Sequence, residues 1–279
     1  MRIRSFDQDK AILYLVATPI GNLADISLRA IDILKSVDKI YAEDTRNSKV
    51  LLDYYSIKNV YESYHEFSQE KTSKIIEELK NGMKIAIISD AGLPVISDPG
   101  FKLVREARDL GIAVSTIPGA SAGISALIAS GFVAMPYTFF GFLDSKESKR
   151  IIELNSLKFI NHTLVFYEAP HRIFDTLKNM LDIFGDRNIC IARELTKTYE
   201  EYISGKISEI INMDSIKGEI VLIVEGCKEE VDNSDPFKQI DELISLGYKP
   251  NEAIKEVSRM HNIDRKELYK NYIDYKNQR

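Results

Sequence analysis

Two α/β domains followed by a small helical extension are the architecture this sequence predicts, on three observations. Short β-branched runs alternate with helical periods from residue 11 onward, which is the pattern of strands and covering helices in a mainly parallel sheet. The alternation breaks near Met135-Pro136 and then resumes as a second block. After the polar stretch KEEVDNSDP the strand pattern stops, and short amphipathic helices take over. The boundaries predicted are 1–132, 133–228 and 229–279. A chain of 279 residues suits about two domains plus an appendage.

In the first block, AILYLVA reads as a strand and SLRAIDILKSV as a helix. DKIYAE is the next strand, and KTSKIIEELKNG is a helix ending at Gly82. KIAIIS is a third strand, KLVREARDLG a second Gly-ended helix, and AVSTIPG a further strand. A helix from Ser121 to Ser130 closes the block, with Ser121 expected to cap it. The second block reads YTFFGF (strand), a helix after Ser145, TLVFYEA (strand), RIFDTLKNMLDIFG (helix), then the strands NICIARE and GEIVLIVEG. FKQIDELISLG, PNEAIKEVSRMHN and DRKELYKNYIDY are the helices of the extension; the last two have the rhythm of a helix-turn-helix or of a small bundle.

Composition excludes several classes. Hydrophobic residues make up 44% of the chain and charged ones 28%, as in an ordinary globular protein. The apolar run near the N-terminus is too short to span a membrane, and no cleavage-site pattern follows it. Cys190 and Cys227 form no disulfide framework, and His65, His162, His171 and His261 are too scattered for a zinc site. A cytoplasmic protein without a metal is expected. The net charge of −5 argues against a generic nucleic-acid binder. Charge is uneven, however: Glu225 to Asp235 is acidic, while Arg265 to Arg279 holds five basic residues against two acidic. That tail reads either as a solvated helix face or as a basic arm for phosphates.

Chemistry is expected in three Gly/Pro-rich loops that follow strands and so share the carboxyl edge of one sheet, where open α/β folds bind ligands. They are Ala17-Thr18-Pro19-Ile20-Gly21-Asn22-Leu23, the run from Ser89 to Gly100, and Pro118-Gly119-Ala120-Ser121-Ala122-Gly123. Glycine lets backbone approach a ligand closely, and a helix start at Ser121 would offer free N–H donors. Neither GxGxxG after the first strand nor GxxxxGK[ST] is present, which removes the common dinucleotide and P-loop readings.

The motifs TPIGNLADISLRA, AEDTR, SDAGLPVISDPG, PGASA, YEAPHR, ARELTKTYEE and GEIVLIVEG occur in that order. In this the chain resembles the bacterial 16S ribosomal RNA cytidine 2′-O-methyltransferases, of the tetrapyrrole-methylase-like (class III) group. The resemblance covers roughly residues 11–228, and the helical tail also looks like that family's C-terminal extension. It implies two α/β domains of tetrapyrrole-methylase type with a cleft for S-adenosylmethionine (SAM) between them. It further implies 2′-O-methylation of a cytidine in the decoding region of 16S RNA within the small subunit, by a homodimer. Leu93, Ala120 and Asp144 depart from the family's usual SDAGTP, PGPSA and GFLPxK; the last removes a proline from a loop expected to face RNA.

By the resemblance, Pro19, Asp90, Ala91, Gly92, Val95, Ile96, Ser121 and Ala122 wall the cofactor from the first domain. Tyr167, Leu195, Gly218 and Glu219 close it from the second. Activating a ribose hydroxyl calls for a base, and Asp98, Glu43, Asp44, Glu168, Glu194 and Lys197 are all candidates, with no ranking among them. Asp44–Arg46 and Arg193–Glu194 could equally be fixed ion pairs. Arg46, Lys146, Lys149, Arg150 and Arg172 are candidate RNA contacts. His171 and Arg172 would bind phosphate or cap a helix, and Phe140 and Phe142 could stack a splayed base. The alternatives are a methyltransferase acting on a porphyrin or corrin ring, and a non-catalytic ribosome-assembly factor.

Overall fold

The computed structural model describes residues 11–64, 69–96, 100–228, 235–245, 248–261 and 263–277. The chain divides into a unit running from Met1 to Gly226 and a second from Cys227 to Arg279. The larger unit opens with a five-stranded sheet: β1 (Ile12–Val16), β2 (Lys39–Ala42), β3 (Tyr61–Ser63), β4 (Lys84–Ile88) and β5 (Ala113–Ile117). Their order is β3-β2-β4-β1-β5, and every neighbouring pair is parallel.

Helices cover both faces of this sheet, which is why its strands read as unbroken apolar runs. Ile12, Tyr14, Val16, Ile40 and Ile88 pack toward α1 (Leu28–Ser36) and α2 (Thr45–Tyr54). Leu13, Leu15, Tyr41, Ile85 and Ile87 pack on the other side against α3 (Gln69–Lys80) and α4 (Phe101–Asp109). Ser27 and Asp44 cap α1 and α2 by accepting the N–H groups of Ala30 and Arg46. Both α2 and β3 escape the sequence reading.

β5 leads into α5 (Ala122–Ala129), which turns away from the first sheet and lies on the second. That sheet holds β6 (Tyr137–Phe142), β7 (Thr163–Glu168), β8 (Asn188–Arg193), β9 (Glu201–Lys206) and β10 (Ile220–Val224), in the order β6-β7-β10-β8-β9. Only β6 and β7 run parallel; the other neighbours are antiparallel. One face is sealed by α6 (Glu147–Leu157), α7 (Ile173–Phe184) and α8 (Ile207–Ile210), through Leu154, Leu177, Met180 and Ile207. The opposite face presents Val165, Cys190, Ala192 and Val221 to Ala126 and Leu127 of α5, and to Ile20 and Leu195. The two sheets are thus joined through one helix, and a cleft opens at the start of that helix.

The smaller unit is a bundle of α9 (Pro236–Ser245), α10 (Pro250–Met260) and α11 (Arg265–Asn277) around Ile240, Ala253, Ile254, Val257, Leu268 and Tyr272. It begins at Cys227, two residues before the expected boundary. No helix among the described residues is long and apolar enough to cross a membrane.

Candidate active site

The three Gly/Pro loops of the first sheet meet and are locked together. Thr18 and Gly92 exchange backbone hydrogen bonds: Thr18 N–H donates to Gly92 O (2.8 Å) and Gly92 N–H to Thr18 O (3.1 Å). The Thr18 hydroxyl donates to Ser89 O at 3.1 Å. Gly92 holds φ +78°, a conformation that side chains disfavour. A Cβ on Gly119 would stand 2.8 Å from Ala17 Cβ, so the third loop lies flush against the first.

The second domain supplies the facing wall. Tyr167 on β7 accepts the N–H of Gly123 through its hydroxyl (3.3 Å), which ties β7 to the first turn of α5. Its ring packs edge-on to Phe139 and tilted against Phe142, with centroids 5.0 and 5.4 Å away. After β8 the chain makes a tight turn in which Glu194 (φ 51°) and Thr196 (φ 65°) both take left-handed backbone. Val95, in the loop after β4, does the same at φ 77°. Such conformations cost on the order of 1–3 kcal/mol each and persist only where the surroundings enforce them. Here they flank one cleft.

Between these walls lies a cavity of about 590 Å³, within the range of sites for small ligands. Ala91, Gly92, Ile96, Ser121, Ala122, Tyr167, Leu195 and Glu219 all line it, drawn from loops far apart in sequence. Pro19, Asp90, Val95 and Gly218 do not, though each adjoins a lining residue in the chain. Gly218 is packed so tightly that a Cβ there would fall 2.4 Å from Glu194 Cγ. The sequence reading misses Ile20, Gly123, Ile124, Tyr137, Phe139, Ala169, Pro170, Ile220 and Val221 as wall residues; it notes Leu93 and Phe142, which also line the cavity, only for other reasons. Four of these nine, Tyr137, Phe139, Ile220 and Val221, are strand residues whose apolar side chains look like core.

Ser121 occupies the N-cap position of α5, but its side chain makes no capping hydrogen bond, contrary to expectation. The first turn of α5 lines the cavity; its Gly123 N–H goes to Tyr167, and the remaining first-turn donors suit an anionic or hydroxyl-bearing group. Apolar walls, a close backbone turn at Gly92 and these donors together fit a nucleoside that carries a charged amino-acid end.

The candidate bases differ sharply in chemistry. Asp98 lies outside the described residues. Arg46, through its guanidinium (2.6 Å) and then its backbone N–H, holds the Asp44 carboxyl down to about 2. The N–H of Glu219 (3.0 Å), helped by Lys197, lowers Glu194 as well. Carboxylates held ionised in this way are weak proton acceptors. Lys197 gains against desolvation from hydrogen bonds to Glu219 (2.9 Å) and Glu194 (3.2 Å), and these carry it above the usual lysine range. Held as a cation, it has no lone pair with which to accept a proton. Glu43 accepts the Asp90 N–H at 3.3 Å, while Asp90 itself accepts from Asp44 N–H and Asn47. Glu168 lines the cavity, yet its carboxylate is buried and occupied by Arg172, Thr176 (2.6 Å) and its neighbour's N–H.

Two of the expected RNA contacts are engaged by partners within the protein, Arg150 buried and Arg172 half-buried. Arg150 is buried with Nε donating to Asn179 Oδ1 (2.8 Å), and so braces α6 against α7. Arg172 pairs with Glu168 and donates to Leu143 O (3.1 Å), so it too is a strut. Arg46, Lys146 and Lys149 remain on the surface. Asp144, where the resemblance leads to the expectation of a proline, accepts Lys146 N–H (2.8 Å) and pairs with Lys149 (3.3 Å). That carboxylate stiffens the loop by hydrogen bonding rather than by a ring.

Residues 12–211 match the family described as Tetrapyrrole (Corrin/Porphyrin) Methylases. The chain is 49% identical to the "Ribosomal RNA small subunit methyltransferase I" of Bacillus subtilis (strain 168), over 95% of this chain and 94% of that protein. It is 42% identical to the protein of the same name from Pasteurella multocida (strain Pm70), over 95% and 98%. Among solved structures, a diphthine synthase superposes with a TM-score of 0.60 at 13% identity, over 77% of this chain and 89% of that one. A uroporphyrin-III-C-methyltransferase from Thermus thermophilus gives 0.56 at 16% identity, over 77% and 94%. At these identities the structural likeness speaks for the fold alone.

Proposed function

Because the chain belongs to the tetrapyrrole (corrin/porphyrin) methylase family of SAM-dependent methyltransferases, we propose that it methylates RNA of the small ribosomal subunit. The finer reading is transfer to the 2′-hydroxyl of a cytidine in the decoding region of 16S RNA, in the cytoplasm. One observation carries the choice of RNA over a tetrapyrrole ring. Similarity to the named RNA methyltransferases extends over 95% of the chain, and so takes in most of the helical unit. A small ring has no use for such an appendage.

Bound SAM supplies a methyl group carried on a positively charged sulfur. Around it the chain's own residues divide the work. Ile20, Leu93, Leu195 and Val221 exclude water and cover an apolar base. The Ala91-Gly92 turn and the open start of α5 receive polar groups. Phe142, 54% exposed at the cavity's edge, is placed to stack an unstacked nucleobase. Holding the ribose oxygen in line with the methyl carbon supplies much of the acceleration, and rigid walls do that holding. A nucleotide inside folded RNA must leave its stack to enter, so an assembled subunit that presents it suits this cleft. Exposed Ile128 (72%), Val133 (72%) and Met135 (74%) crowd one short stretch, consistent with a homodimer contact that sedimentation would detect.

The test is transfer of label from SAM to small subunits lacking the modification, with the product mapped by resistance to alkaline cleavage. A 2′-O-methyl cytidine is expected. No transfer with SAM binding intact would return the ring substrate; no SAM binding at all would favour the assembly factor.

A further inference from the structure

The smaller unit carries a sided charge pattern that the cofactor site does not use. Asp264 caps α11 by accepting the N–H groups of Lys266 (2.9 Å) and Glu267 (3.0 Å). Leu268 and Tyr272 anchor the helix in the bundle, and the Tyr272 hydroxyl donates to Asp241 at 2.5 Å. With its inner side fixed, its outer side is fixed too. At about 100° per residue, Arg265, Tyr269, Ile273, Lys266 and Lys270 fall within one arc of about 140°. All five are exposed, and none of the three cations has an ion-pair partner among the described residues. Asp274 and Glu267 lie about 40° and 60° beyond the Lys270 edge of that arc, and Lys276, which falls inside it, is paired with Asp241 at 2.7 Å. The segregation stands out in a chain of net charge −5, whose last fifteen residues hold five basic side chains against two acidic.

We propose that this face of α11 is an RNA-docking surface, with Arg265, Lys266 and Lys270 on phosphates and Tyr269 against an exposed base. It rests on the reading of small-subunit RNA as substrate, and adds the surface that holds it. Cations in a row spaced by an aromatic suit a polyanion with π-faces. A protein partner would have little use for a strip of unpaired cations with no carboxylate among them. The acidic remainder of the molecule would be repelled by RNA, so one basic helix also sets the direction of approach.

The test uses the full-length protein and measures binding to purified small subunits across a salt series, beside methyl transfer. Arg265→Gln/Lys266→Gln/Lys270→Gln should weaken binding by roughly tenfold or more. It should also lower the slope of log affinity against log salt by about two to three, near one per lost phosphate contact. SAM affinity and kcat should stay unchanged while KM for the subunit rises. Tyr269→Leu should weaken binding with no change in slope. Glu267→Gln/Asp274→Gln should leave the slope as it is. Unchanged binding in the triple variant, with helicity intact, would overturn the proposal. A loss that does not depend on salt would mean a ribosomal protein meets this face, and would overturn it equally. If the wild type binds subunits with this slope yet transfers no methyl, the functional reading fails and the docking surface stands.

Discussion

Gly123 is where helix stability and ligand binding can be separated. It occupies the first turn of α5, and an added Cβ would meet Phe139 Cε2 at 3.2 Å, Phe139 Cδ2 at 3.3 Å and the Tyr167 hydroxyl at 3.5 Å. Relaxed carbon contacts begin near 3.5 Å, so the Phe139 ring must retreat by a few tenths of an ångström. Phe139 and Tyr167 form an edge-to-face pair 5.0 Å apart, and the retreat carries Tyr167 along. Its bond from Gly123 N–H, already 3.3 Å long, would be lost. Alanine gains up to about 1 kcal/mol over glycine in a helix. Against this stand the ring pair and the hydrogen bond, each worth about 1 kcal/mol. Gly123→Ala should therefore cost about 1 kcal/mol net and lower the melting temperature by only about 2–4 °C. SAM affinity should fall by about 1–1.5 kcal/mol, roughly five- to tenfold, because the displaced rings line the cavity. Titration calorimetry beside thermal melting reads both quantities. Tyr167→Phe, which keeps the ring and removes the acceptor, should lose less. Undiminished affinity in Gly123→Ala would show that this ring pair is no part of the cofactor's wall.

Three further outcomes follow from the geometry. Gly92→Val places a β-branched residue at φ +78° and Cβ 3.4 Å from Ile20, so SAM binding should be abolished; a variant that still binds would take this turn out of the site. Arg172→Ala leaves the buried Glu168 carboxylate without its cation, and urea unfolding should show a loss of about 3–5 kcal/mol, whereas a loss below about 1 kcal/mol would mean that water already reaches the pair. The Asp44 carboxyl, held down to about 2 by Arg46, lies below its unfolded value near 4, so its contribution is present above pH 4 and lost as pH falls toward 2. Carbon-13 titration of Asp44 should find its midpoint near 2, and a midpoint near 4 would refute the pairing.

What could be read from residues alone follows burial. β1, β2 and β4 are covered on both faces, so their apolar runs are continuous and stand out. β3 is three half-buried residues at an edge, and α2 opens with the polar turn Thr45-Arg46-Asn47-Ser48, so neither carries a period long enough to register. β9 borders its sheet with no buried residue and is equally quiet. The cofactor loops announce themselves through Gly and Pro, but Tyr137, Phe139 and Val221 do not. An apolar strand residue that faces a cavity has the same letter as one that faces core. Arg150 and Arg172 err the other way, since charge in a sequence suggests solvent and only the fold shows their carboxylate and amide partners. Left-handed Val95 and Thr196 are beyond any sequence rule, being β-branched residues in a region they avoid.

The mutual clasp of Thr18 and Gly92 sets an order on the molecule's own making. β1 emerges first during synthesis, yet both its strand partners and the residue that clasps its loop are translated much later. The floor of the cleft thus stays open until the whole first sheet has closed, and its roof waits for β10. A truncated or misassembled chain has no place for the methyl donor, whereas a finished one is stabilised by an amount that grows with the logarithm of ligand concentration. Resistance to proteolysis should accordingly rise with SAM concentration only in complete molecules, so the nutrient that feeds the reaction would also set how long the enzyme survives.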